Sequence, residues 1–243
     1  MSRFFGSGAV FFTKERSFVE TINDIDNDVV NLFRVARDHP EGLARAVTLT
    51  PWSRTEYLMS YDVVACDDIE RARRFLVRMW QGIGSKSSSR TGWRKNVKGV
   101  NGSASRFHIS LPNCIMDVCA RMKHSEGNFI VQIENKDALE LISRHNTSDT
   151  LIYADPPYMR ETRSGAIYKH EFVDDDHRRL LDALLAHKGP LVLSGYNNVL
   201  YDDLLDGWRR YDIPCRTEFA GVKIESLWCN YNFGTQLEME GFI

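Results

Sequence analysis

Residues 150–158 read TLIYADPPY, an apolar run closed by an acid, two prolines and an aromatic. The run has the length and composition of a buried strand. The two prolines fix φ and remove two backbone donors, so the strand cannot continue through them. Working outward, residues 174–187 (DDDHRRLLDALLAH) carry apolar side chains at helical spacing and acids in the first turn, where the helix dipole favours them. Residues 189–198 (GPLVLSGYNN) form a second buried-type strand ending in a polar turn. Upstream, residues 131–142 (VQIENKDALELI) read as a strand running into a helix, and residues 17–26 (SFVETINDID) as a strand ending in acids. Strands alternating with helices imply an α/β fold with a parallel sheet. The stretch over residues 45–125 breaks that rhythm and is helical and loop-rich. The expected organisation is therefore one α/β domain built from residues 1–44 and 126–243, with residues 45–125 as an inserted subdomain.

The composition fits this reading. The chain has 243 residues, 43% of them hydrophobic and 11% aromatic, which supports a single large domain or a domain with an insert. Collagen-like, coiled-coil and wholly disordered classes are excluded. No apolar run reaches the length needed to span a bilayer, which is about 18 to 20 residues. The first twelve positions, MSRFFGSGAVFF, are apolar but interrupted by glycine and followed by charge, a poor signal peptide. The five cysteines form no CxxC pair, so reduced thiols in a cytoplasm are expected rather than a disulfide framework or a metal site.

Net charge is −2, from 31 Lys plus Arg and 33 Asp plus Glu, which argues against a uniformly basic coat. The distribution argues otherwise. Between residues 71 and 116 there is no acid, while Arg71, Arg73, Arg74, Arg78, Lys86, Arg90, Arg94, Lys95, Lys98 and Arg106 all lie there. Residues 67–80 (DDIERARRFLVRMW) read as an amphipathic helix with a basic polar face. Residues 82–105 are rich in Gly and Ser without either periodicity and read as a long mobile loop. Trp80 reads as a core aromatic of the helix. Trp93, within the loop, is free either to pack or to wedge.

The acid-Pro-Pro-Tyr turn carries the sharpest chemistry. At the carboxyl end of a strand in an open α/β sheet it stands where ligands bind. Asp155 and a backbone carbonyl suit an exocyclic amino group, accepting its two N–H bonds, and Tyr158 suits stacking on a flat ring. Two further clusters accompany it. Phe5-Gly6-Ser7-Gly8-Ala9 is a glycine loop, a weak signal alone. Asp24 and Asp26 follow it by about twenty residues, the distance that suits ribose hydroxyls in dinucleotide folds. The third cluster is Asn135-Lys136-Asp137. Ser194 lacks a Gly-x-Ser-x-Gly elbow, so a hydrolase triad is rejected and its turn is expected at the rim of the site. His39, His170 and His177 show no metal spacing, and Trp228 reads as a core strand residue.

The order of glycine loop, strand-end acid, long basic insert and DPPY resembles the Dam-like N6-adenine-specific DNA methyltransferases, over nearly the whole chain. Stretches such as FFGSGAVFF, DTLIYADPPY, LVLSGYNN and ESLWCNY support it jointly and have a phage-like or restriction-type character. The resemblance implies a Rossmann-like methyltransferase sheet with an inserted target-recognition subdomain, in a bacterial or phage-encoded cytoplasmic enzyme. It implies S-adenosylmethionine as cofactor, double-stranded DNA as partner, no metal and no membrane.

By the same resemblance, Phe5, Gly6, Ser7 and Gly8 pass under the cofactor, Asp24 binds its ribose, and Ile25 and Asp155 also contact it. Asp137 lies near its adenine. Asp155, Pro156, Pro157 and Tyr158 form the catalytic tetrapeptide, with Asp155 and the Pro156 carbonyl holding the amino group of a flipped-out adenine. The basic insert then supplies phosphate and base contacts, the candidates being Lys86, Arg90, Trp93, Arg94, Lys95 and Lys98. Family members ordinarily carry a Gly-Gly-Lys segment and a first strand ahead of the glycine loop. Only Met-Ser-Arg-Phe stands there, so that strand is expected to be nearly absent. The alternatives are a non-catalytic DNA-binding remnant, or a transferase acting on RNA or a protein amide.

Overall fold

The apolar patterns fold as two compact units, seen in a computed structural model that describes residues 4–62, 64, 66–84, 89–95, 102–123, 129–162, 169–217 and 221–232. One unit comprises residues 6–135 with 167–170, and the other residues 1–5, 136–166 and 171–243.

The first unit opens with a short helix α1 (Ala9–Thr13) and strand β1 (Val19–Asn23). Helix α2 (Asn27–Asp38) begins where the Asp26 carboxylate accepts the Asp28 amide, and α3 (Pro40–Thr48) has proline in its first turn, where no donor is lost. Ser53 and Asp67 cap α4 (Arg54–Met59) and α5 (Asp68–Gln81) by accepting the Glu56 and Glu70 amides. A single turn α6 (Ser103–Ser105) passes through a π-helical turn at Arg106–Ser110 into α7 (Leu111–Met122). Strand β2 (Ile130–Glu134) pairs in parallel with β1, Ile22 opposite Ile133.

The core of this unit joins Val35, Leu43, Val47, Tyr57, Ala72, Leu76, Val77, Phe107 and Ile115. Trp80 packs partly buried against this core, its ring 6.1 Å from that of Phe107, as expected of a core aromatic.

In the second unit, Asp137 caps α8 (Ala138–Arg144), its Oδ1 accepting the amides of Leu139 and Glu140. Strand β3 (Ile152–Ala154) stops at the prolines. Helix α9 (Asp174–Leu185) then crosses over to β4 (Leu191–Gly195), which lies parallel to β3. Asn198 caps α10 (Val199–Leu204).

Strands β5 (Arg209–Thr217) and β6 (Gly221–Cys229) form an antiparallel pair, and β6 lies antiparallel to β4, giving the order β3-β4-β6-β5. The sheet of this unit is thus mixed, where alternation of strands and helices alone implies a parallel one. Only three residues separate the last two strands, a connection short enough for antiparallel pairing. Pro214 lies in β5, the outermost strand of that order, where a residue without an amide hydrogen is tolerated.

Trp228 is buried at the centre of this unit with Ile152, Leu180, Leu181, Leu191, Leu193 and Tyr201. Among the described residues no helix is long and apolar enough to cross a membrane.

Candidate active site

Parallel pairing places Ala154 beside Leu193, so the next residues on the two strands, Asp155 and Ser194, stand side by side. Ser194 is fully buried, and its hydroxyl donates to Asp155 Oδ1 at 2.7 Å. The Tyr153 phenol donates to Ser194 Oγ at 3.3 Å, which leaves the serine proton for the carboxylate. Pro156 and Pro157 are buried, so the turn is packed as well as stiff.

Burial pushes the Asp155 carboxyl above the usual carboxylate range. Hydrogen bonds from Ser194 and Tyr158 oppose that push, and the negative charge of Glu225 adds to it. The Tyr158 hydroxyl donates to Glu225 Oε1 on β6, and its ring meets Tyr196 edge-on at 4.7 Å. Burial first, then the charges of Asp155 and Glu225, push the Tyr158 phenol well up, so it remains a neutral donor.

The glycine loop forms in the other unit. Gly6 and Gly8 have φ of 50° and 69°, a region that L side chains rarely adopt. A side chain at Gly6 would meet no atom within 4 Å, so the constraint there is the backbone turn. The Gly6 amide donates to Asp24 Oδ2 at 2.9 Å, and the Asp26 amide to Oδ1 at 2.9 Å. The loop and the strand-end acid, eighteen residues apart, are therefore brought together. Burial chiefly, with the neighbouring Asp26 charge, pushes the Asp24 carboxyl up, while the two amides pull it down. Asn135 Nδ2 donates to the Asp24 and Ile25 carbonyls at 2.7 and 3.1 Å and holds the turn after β1. Lys169 Nζ pairs with the buried Asp26 at 3.0 Å.

The other expected site residues are placed as follows. Phe5 is buried, and Ser7 and Ile25 are exposed. Asp137 is exposed and acts as the cap of α8. Lys86 and Lys98 fall outside the described residues. Arg90 and Lys95 are exposed, with the Arg90 guanidinium 6.0 Å from the Tyr61 ring. Arg94 is half-buried and donates to the Gly82 carbonyl at 3.2 Å. Trp93 is half-buried too, its indole N–H donating to Gln81 Oε1 at 3.2 Å and Arg54 lying over its ring.

The base of the Gly/Ser loop is thus pinned. Gly82 and Trp93 form an antiparallel bridge, and the Tyr57 hydroxyl donates to the Thr91 carbonyl while accepting the Thr91 amide.

The cations of α5 are engaged elsewhere. Arg71 and Arg78 pair with Asp28, Arg73 with Glu56 and Glu70, and Arg74 with Glu70. The reading of the acid-free stretch as wholly turned to phosphates is corrected for these four, because acids from α2 and α4 and Glu70 in the first turn of α5 itself meet them in the fold. Sequence reasoning also missed Ser194 as a donor to Asp155, and any role for Glu225, although that residue opens the stretch ESLWCNY. The first was legible from the parallel register; the second lies on a strand without clean alternation.

An α/β chain that ends a buried strand in an acid, two prolines and a tyrosine is, by what it matches, a methyltransferase. Residues 1–218 match the model of the D12 class N6 adenine-specific DNA methyltransferase family, and the chain belongs to that family. A search among curated proteins found no match.

Proposed function

We propose that this protein is a site-specific adenine-N6 DNA methyltransferase that uses S-adenosylmethionine and acts on an adenine turned out of duplex DNA. The observation that carries the reading is the Asp155 carboxylate at the end of β3, with Oδ1 already committed to Ser194. With Oδ1 accepting from Ser194 and the Tyr158 hydroxyl also reaching the carboxylate, its remaining lone pairs would accept an amino N–H, and the Pro156 carbonyl is the second acceptor. Drawing both N–H bonds toward acceptors raises the nucleophilicity of the nitrogen, so the protein contributes chiefly alignment and electrostatics. Extruding the base costs a few kcal/mol, which stacking on Tyr158 would offset.

The glycine loop fits the cofactor. Gly6 and Gly8 hold left-handed turns, and each Asp24 oxygen keeps a lone pair for a ribose hydroxyl after accepting one amide. When bound, S-adenosylmethionine supplies the electrophilic methyl group. Asp155 and the Pro156 carbonyl would hold the amino N–H groups while the nitrogen takes that methyl in exchange for its bond to sulfur, and the surplus amino proton would pass to water. The test is transfer of a labelled methyl to duplex DNA with the product base identified. Product at cytosine, in RNA or on protein overturns the reading.

On this reading the exposed Arg90 and Lys95 contact phosphates. The double change Arg90→Ala/Lys95→Ala is expected to weaken DNA binding and to flatten the slope of log K against log salt by about 1.8, since each phosphate contact contributes about 0.9. Fluorescence anisotropy at several salt concentrations measures this, and an unchanged slope removes both residues from the interface.

A further inference from the structure

We propose that Glu225 of β6 is a positioning residue for the transfer, holding the Tyr158 ring by its phenol through one carboxylate oxygen while Cys215 ties the other to β5. The inference rests on the proposed methyl transfer to adenine and assigns a residue that the DPPY motif does not contain. Two hydrogen bonds meet at this carboxylate, and two ring contacts lie beside them. The Tyr158 hydroxyl donates to Oε1 and the Cys215 thiol to Oε2 at 3.3 Å, so each oxygen has a partner. Tyr196 lies edge-on to Tyr158 with ring centres 4.7 Å apart, and Lys223 Nζ sits 4.8 Å from the centre of the Tyr196 ring.

A tyrosine held at its hydroxyl and packed against a second ring has lost both side-chain rotations before a base arrives. The ordering cost of a stacking partner is then met in folding rather than in binding. The charge matters separately from the grip. A glutamine would accept the same phenol proton, yet the residue is an acid close enough to Asp155 for its charge to oppose ionisation there. Asp155 is faced by Tyr153, Tyr158, Tyr201 and Glu225, and Glu225 also by Cys215 and Tyr196. Of these neighbours Glu225 is the one carboxylic acid. It therefore couples the readiness of Asp155 to accept an amino group to the placement of the ring.

The experiment compares Glu225→Gln, Glu225→Ala, Tyr158→Phe and the double Tyr158→Phe/Glu225→Ala in the full-length protein. Methyl transfer to duplex DNA is followed across pH. Glu225→Ala and Tyr158→Phe are each expected to lower kcat by about tenfold, the scale of one hydrogen bond to a charged group. The double is expected to be no worse than the poorer single, because both remove the same bond. Glu225→Gln keeps most of the rate at high pH and shifts the acid limb of the profile downward. Single effects that multiply in the double, or an acid limb that stays in place, overturn the proposal.

A second readout needs no DNA. The Asp155 carboxyl, followed by carbon-13 NMR, is expected to titrate at lower pH in Glu225→Gln than in wild type, and an unmoved titration overturns the proposal whatever the activity. A wild type inert on adenine whose Asp155 titration still responds to Glu225 overturns the proposed function and upholds the coupling.

Discussion

Replacing Asp155 with asparagine is expected to lower methyl transfer at least a hundredfold, about the cost of losing a dedicated electrostatic partner of a reacting group, while leaving the protein no less stable at neutral pH. The variant can still accept the Ser194 proton at Oδ1, which in the native chain is bonded at 2.7 Å. The second position becomes an amide NH2, a donor facing a donor, and the amino group loses its acceptor.

Stability moves in the other direction because burial raises the native pKa of this carboxyl. A folded-state pKa above the unfolded value stabilises the fold below the unfolded pKa, near 3.9. That contribution is lost as pH rises through the folded pKa, so at pH 7 the ionised side chain is a net cost. Asparagine removes that cost, so its Tm is expected to match or exceed wild type at pH 7 and to lose the advantage in acid. Labelled-methyl assays beside thermal melts across pH measure both. Activity within tenfold of wild type would refute the assignment of Asp155.

Asp24→Ala is expected to weaken cofactor binding about a hundredfold or more, and to lower Tm as well. The carboxylate now accepts the Gly6 and Asp26 amides, and alanine leaves both without that acceptor. The Asp26 amide lies in the part-buried half of the turn, where an orphaned donor costs about 1–3 kcal/mol, and a hydrogen bond to a charged group is worth about 1.5–3 kcal/mol. Losing the acceptor for two ribose hydroxyls together with the turn accounts for two or more decades of affinity. Calorimetry with S-adenosylhomocysteine measures it. In wild type the affinity is expected to fall as pH drops, beginning above the ordinary aspartate range, because burial raises the Asp24 pKa and the acceptor is lost on protonation. An affinity that is unaffected by Asp24→Ala would move the cofactor elsewhere.

Much of the fold was legible in the chain. The run 150–158, the acid-started helix and the strand ending at Ser194 were readable because apolar period and proline punctuation are local signals, and they became β3, α9 and β4. The strand-end acid Asp24 and the glycine loop were readable as separate motifs, and the structure joins them through one amide. What stayed hidden depended on pairing over distance. Strand β5 carries Arg209, Arg210, Asp212 and Pro214 in place of clean alternation, so β6 and its Glu225 had no visible partner. The cations of α5 looked free because a charge count along the chain does not register Asp28 or Glu56, which reach them only after folding. Ser194 was tested as a nucleophile and rejected, yet its task is to donate.

Pro214 has a consequence for how the protein is handled. The outermost strand of the β3-β4-β6-β5 order lacks an amide hydrogen at that position. Outer strands are where foreign chains add themselves to a sheet, and a missing donor interrupts the run of hydrogen bonds such an addition needs. Among the described residues, the strand that anchors Cys215 beside Glu225 is therefore expected to be a poor template for a foreign chain, which would favour work at the high protein concentrations that NMR requires.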